Sequence, residues 1–131
     1  MITTPTIEPH PDGFKATWPG FPRAFALFSV ERDRVIISDI FRDPAQPKGT
    51  AGAMLASALR QAGARRPQLI RIAKILESQI TLAQIRARSP LPETVLGKTL
   101  ANCVAALGGN ITQWEQGTER GKSWIQAAID Y

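Results

Sequence analysis

The chain has 131 residues, 44% of them hydrophobic, with 16 Lys and Arg against 11 Asp and Glu for a net charge of +5. That is one globular domain's worth of ordinary composition, large enough to hold a core without a structural metal. The single cysteine, Cys103, excludes an internal disulfide framework. No stretch approaches the roughly 18–20 consecutive apolar residues of a membrane helix, so the sequence predicts a cytoplasmic protein with no signal peptide and no membrane span. The positive charge admits nucleic acid, headgroups or a phosphorylated cofactor without choosing among them. Arg60, Arg65, Arg66, Arg71, Arg86 and Arg88 are expected to solvate the surface.

Residues 1–22 hold five of the ten prolines, Pro5, Pro9, Pro11, Pro19 and Pro22, which remove backbone donors. At most one short strand is expected there, an edge strand near Phe14 to Trp18. Residues 23–131 read as a single domain. Ala24 to Val30 and Val35 to Phe41 are aromatic and β-branched runs around the charged tetrad 31–34, which predicts an antiparallel hairpin. Met54, Leu55, Ala58, Leu59 and Ala62 repeat at helical spacing over 49–62, with Gly63 as the stop. Leu69 to Ile75 reads as a strand parallel to the one ending at Phe41, because a helix lies between them.

A short helix is expected within 77–88. A longer one should run from Glu93 to Leu107, with Pro92 in its first turn and Gly108 and Gly109 at its end. Strands at 111–116 and 122–130 around the turn 117–121 complete a terminal hairpin. The order from residue 24 is strand, strand, helix, strand, helix, strand, strand: an α/β chain with one mixed, twisted sheet.

The stretch Asp39 to Leu55, DIFRDPAQPKGTAGAML, joins a strand to a helix through small residues. Such a junction aims free N–H groups and the positive end of the helix dipole at one spot, where phosphate binds. Gly49, Ala51 and Gly52 would let phosphate oxygens approach the main chain, with Lys48 and Arg42 adding charge. Neither the Walker loop nor the G-x-G-x-x-G fingerprint occurs. Gln46, Pro47, Lys48, Gly49, Thr50 and Ala51 instead resemble the [QR]-x-x-G-x-[GA] signature of the GNAT superfamily of N-acetyltransferases. The preceding strand, the small residues Gly52 and Ala53, and Leu107–Gly108 ending the second long helix extend that resemblance over 24–131.

The resemblance implies a GNAT-like fold, acetyl-CoA or another acyl-CoA as cofactor, and N-acyl transfer to an amine, on a small molecule or peptide, that the residues do not identify. It implies that Ile40 and Phe41 pair with the pantetheine arm, that the Phe41 N–H polarises the thioester, and that the N–H groups from Lys48 to Ala53 hold the pyrophosphate. Thr50 would add its hydroxyl to a phosphate or simply start the helix.

Two family features are missing. The usual Tyr acid falls at Val104, and the proline-rich start cannot supply the two helices that floor the acceptor pocket. The acceptor site then needs a partner subunit, as in a homodimer, or does not exist. Asp39 is the candidate base, with Glu77 as an alternative. Other readings are a non-catalytic binding or dimerising module, and, more weakly, a nucleic-acid binder using the arginines. His10 is expected on the surface and Cys103 in the core. Trp114 and Trp124 are expected to face one another across the terminal hairpin or to line its open face, and no metal-ligand cluster is expected.

Overall fold

The computed structural model describes residues 4–73 and 79–131. In chain order the elements are β1 (Thr6–His10), β2 (Gly13–Trp18), β3 (Phe21–Glu31), β4 (Arg34–Phe41), α1 (Ala51–Gln61), β5 (Leu69–Ile72), α2 (Gln79–Arg86), a 3₁₀ turn at Leu91–Glu93, α3 (Val95–Ala106), β6 (Asn110–Glu119) and β7 (Lys122–Asp130). The strands form one sheet ordered β1-β2-β3-β4-β5-β7-β6. β4 and β5 run parallel and the other neighbours antiparallel. From β3 onward this is the mixed α/β sheet, with the element order, that the sequence predicts.

The N-terminal segment corrects the reading of its prolines. It forms two strands, and a third begins at Phe21. Each proline sits where the ladder loses nothing. Pro9 is on the sheet's edge strand, and Pro11 and Pro19 occupy turns. Pro22 lies in a stretch the register skips, since Trp18 pairs with Phe21 and Thr17 with Phe25. A tight turn therefore joins β1 to β2.

Three further boundaries move. The expected strand over 69–75 is described only to Ile72, and 74–78 lie outside the described residues. Thr94, not the Pro92–Glu93 pair, starts the second long helix: its hydroxyl accepts the Gly97 N–H at 3.0 Å and donates to the Leu91 carbonyl at 2.7 Å. The last hairpin tightens to Arg120–Gly121, with Gly117 inside β6.

One face of the sheet is buried. Ala24, Ala26, Phe28, Val35, Ile37, Ile70, Ile72, Ile125 and Ala127 share it and pack with Leu55, Ala58 and Leu59 of α1 and Leu100, Cys103 and Val104 of α3. The opposite face carries Phe25, Leu27, Ile36, Asp39, Arg71, Trp124 and Gln126, set by the cross-strand pairs. Trp114 pairs with Ala127 and Trp124 with Gly117, so the two indoles sit on opposite faces of the hairpin and do not meet. No helix among the described residues is long and apolar enough to cross a membrane.

Candidate functional site

The site begins with a bulge in β4. Phe28 pairs with Ile37 and Leu27 with Asp39, leaving Ser38 as the extra residue, its hydroxyl donating to the Leu27 carbonyl at 3.2 Å. The bulge reverses the alternation: Val35 and Ile37 face the core before it, and Ile40 after it, while Asp39 and Phe41 face outward beside Leu27 and Phe25. On its other side β4 pairs with β5 only from Arg34 to Ile37, ending where the Ala73 N–H donates to the Ile37 carbonyl at 2.8 Å. From Ser38 to Phe41 that edge has no strand partner among the described residues. The Ile37 polar groups face β5, so the alternation of antiparallel pairs turns those of Ile40 to the open edge and those of Phe41 back toward β3. Ile40, not Phe41, is the edge donor.

The loop after β4 is held by its own polar groups. Asp43 is buried, and its carboxylate accepts the N–H of Ala45 at 2.8 Å and of Arg23 at 2.9 Å. These two donors, Ala45 foremost, hold the Asp43 carboxyl below the usual carboxylate range. Gln46 is also buried; its side-chain oxygen accepts the Asp43 N–H at 2.6 Å and its amide donates to the Met54 sulfur at 2.8 Å. The Arg42 guanidinium donates to the Gln46 carbonyl at 3.0 Å. Gln46 and Arg42 are thus fasteners of the loop.

Gly49 takes φ +80°, a left-handed conformation that favours glycine, and a β-carbon there would meet open space. Thr50 stands at the N-cap position of α1, but its hydroxyl makes no cap hydrogen bond and donates instead to the Pro47 carbonyl at 2.7 Å. The first helical bond runs from the Met54 N–H to the Thr50 carbonyl at 2.9 Å. The N–H groups of Ala51, Gly52 and Ala53 lie ahead of it and find no acceptor among the described residues.

Strand edge, loop and helices enclose a cleft of about 470 Å³. Ile40, Ala24 and Trp18 of the sheet line one wall, and Phe25 and Phe41, ring centroids 5.5 Å apart, line its edge. Gln46, Lys48, Gly49, Ala51 and Gly52 line the α1 end, and Val95, Leu96, Lys98, Thr99 and Asn102 of α3 the far wall. Trp18 is 5% exposed and its indole N–H has no partner among the described residues, a buried donor of the kind that calls for an acceptor.

Gly52 serves a different end from the one its sequence context predicts. A β-carbon there would stand 2.5 Å from the Thr99 carbonyl and the Asn102 β-carbon and 2.8 Å from the Cys103 N. The missing side chain brings α3 against α1, and so builds the cleft wall.

Of the residues proposed from sequence, Ile40, Phe41, Gln46, Lys48, Gly49, Ala51 and Gly52 gather at the cleft; Thr50 and Ala53 adjoin it without lining it. Asp39 is half-buried on the opposite face. Glu77 lies outside the described residues. Val104 and Cys103 are core, and burial pushes the Cys103 thiol up to about 12.

The sequence reading missed Asp43, although Asp two residues before a small residue, followed by Pro, is an Asx-turn signal. It also missed Trp18, Lys98, Thr99 and Asn102, which carry no local signal because only tertiary packing brings them to the loop. Among the described residues no three His, Cys, Asp or Glu side chains are grouped to hold a metal.

No protein-family model and no curated protein matches the chain. Solved structures do. A Bacillus subtilis acetyltransferase in complex with CoA is 14% identical, over 90% of this chain and 75% of that one, with a TM-score of 0.42. The ribosomal-protein-S18-alanine N-acetyltransferase from Escherichia coli is 18% identical, over 95% of this chain and 68% of that one, with a TM-score of 0.44.

Proposed function

We propose that the protein binds an acyl-CoA in this cleft and, as a GNAT-type N-acyltransferase, passes the acyl group to an amine. The observation that carries this reading is the junction of the β4 edge at Ile40, which has no strand partner among the described residues, with the three N–H groups that begin α1 and find no acceptor among them. A ligand matching both must be extended and amide-bearing at one end and anionic at the other. Pantetheine joined to a pyrophosphate has that form. The amides pair with the Ile40 N–H and C=O as an added strand would, and the pyrophosphate sits on the N–H groups of Ala51, Gly52 and Ala53 beside Lys48 and Lys98.

In the transfer the amine nitrogen attacks the thioester carbonyl. A C–N bond forms, the C–S bond breaks, and the thiolate leaves. An amine approaching from the open face of the sheet meets Asp39, which takes the ammonium proton. Val104 leaves the thiolate without a phenol, so water reprotonates it; a missing general acid slows such a step by about 10²- to 10⁴-fold without abolishing it.

The test is acetyl-CoA binding by thermal shift and calorimetry, then thioester consumption against a panel of amines, polyamines and peptide N-termini. Gly49→Val should weaken binding at least tenfold, about 1.4 kcal/mol, by straining the left-handed backbone and filling the space in front of it. Equal affinity in Gly49→Val refutes the placement of the pyrophosphate. Turnover should be slow, rise with pH as the amine deprotonates, and fall in Asp39→Asn. Binding with no acceleration for any amine makes the protein a non-catalytic acyl-CoA module.

A further inference from the structure

The sheet face turned away from α1 and α3 holds a second cavity, of about 310 Å³, lined by Arg71, Ala73, Glu119, Arg120, Lys122 and Trp124. Its organising group is Arg71, which the sequence reading left among solvating arginines. The guanidinium carbon lies 4.0 Å from the centroid of the Trp124 ring, a stacked cation–π contact. That ring has its place because its cross-strand partner is Gly117, where a β-carbon would run into the indole.

The Nε edge of Arg71 is fixed as well. It donates to the Gln126 side-chain oxygen at 2.9 Å; the Gln126 amide donates to one Glu115 oxygen at 2.8 Å, and Gln113 donates to the other at 2.8 Å. The cation–π contact and this relay hold the guanidinium in one pose, and among the described residues its Nη atoms have one further side-chain neighbour. What they meet is loose: Nη1 stands 3.7 Å from an oxygen of Glu119, whose side chain is 67% exposed. A contact of that length and exposure contributes little. The β6–β7 turn adds Arg120 and Lys122, so among the described residues the cavity is lined by three cations and one weakly engaged carboxylate.

We propose that this cavity is a binding site for the oxyanion of a small molecule, a carboxylate or a phosphate. The oxyanion displaces Glu119 and takes two parallel hydrogen bonds from the Arg71 Nη atoms, Arg120 and Lys122 add charge from the turn, and the Trp124 ring packs against the apolar part of the ligand. Holding a guanidinium ready lowers the ordering cost of recognising a planar anion. The site lies on the face opposite the acyl-CoA cleft and shares no lining residue with it, so either assignment can fail without the other.

The experiment is a titration of the whole chain with succinate and, separately, with inorganic phosphate, following the Trp124 indole N–H by NMR, that signal being assigned by its loss in Trp124→Phe. One of the two probes should shift it saturably with a Kd of about 10 mM or tighter, and the probe that does so assigns the anion. Arg71→Lys, which keeps the charge and loses the planar fork, should weaken that binding about tenfold or more. Glu119→Gln removes the competing carboxylate and should tighten it severalfold. The pair Arg65→Gln and Arg66→Gln, with an equal or larger loss of charge elsewhere, should leave it unchanged. No saturable shift with either probe overturns the proposal, as does an unchanged Kd in Arg71→Lys or an equal loss in the Arg65 and Arg66 pair. If Arg71→Lys does not fold, Glu119→Gln decides: an unchanged or weakened Kd overturns the site.

Discussion

Gly52→Val separates two roles that one glycine can play. If Gly52 exists to admit phosphate oxygens, a side chain there leaves the free protein's stability intact and harms only ligand binding. The packing says otherwise, because a β-carbon would already stand 2.5 Å from the Thr99 carbonyl and the Asn102 β-carbon. Those groups are backbone and the root of a side chain, so relief requires α3 to move off α1. Overpacking of this kind costs about 1–3 kcal/mol, and the two added methyl groups of valine place it toward the upper end. With an unfolding entropy of roughly 0.28 kcal/mol/K for a chain of 131 residues, the melting temperature should fall by about 4–11 °C. The assay is thermal and urea unfolding of the protein without ligand. Because Thr99 and Asn102 line the cleft, acetyl-CoA affinity should fall as well. A melting temperature within a degree of the parent, with only binding lost, would refute the packing role.

Asp43 predicts an acid sensitivity. Its carboxyl is held below the ordinary value by the Ala45 and Arg23 N–H groups, so its contribution to stability is present above the unfolded pKa near 4 and is lost as pH falls through the folded one. Asp43→Asn should therefore be less stable than the parent at pH 6, with the gap closing toward pH 2; melting curves over that range check this, and a constant gap contradicts it. Trp18→Phe removes a buried donor that has no acceptor among the described residues, so the free protein should lose no more than about 1 kcal/mol. If the indole N–H serves a ligand carbonyl in the cleft, calorimetry should show acetyl-CoA binding weakened severalfold in the same variant, and unchanged affinity removes Trp18 from the site.

The local pattern was enough for much of this chain. The aromatic and β-branched run from Val35 to Phe41, helical spacing from Met54 to Ala62, and small residues between them placed a strand, a loop and a helix start in the right order, because each depends on side-chain type within a few residues. The same logic placed β5 parallel to β4, since an intervening helix allows little else. Proline misled it at the start: Pro9 and Pro22 lack a donor, but a sheet edge and a skipped register need none, and whether a residue sits there depends on which strand lies beside it. Only the assembled chain could show that Gln46 is a fastener, that Gly52 faces a helix 40-odd residues on, and that a bulge at Ser38 turns Asp39 away from the cleft while Ile40 faces its edge. Arg71 carries the same lesson. As a residue in a basic chain it reads as solvated surface, and its fixed pose comes from a ring and an amide more than 50 positions away, which only sheet register brings to it.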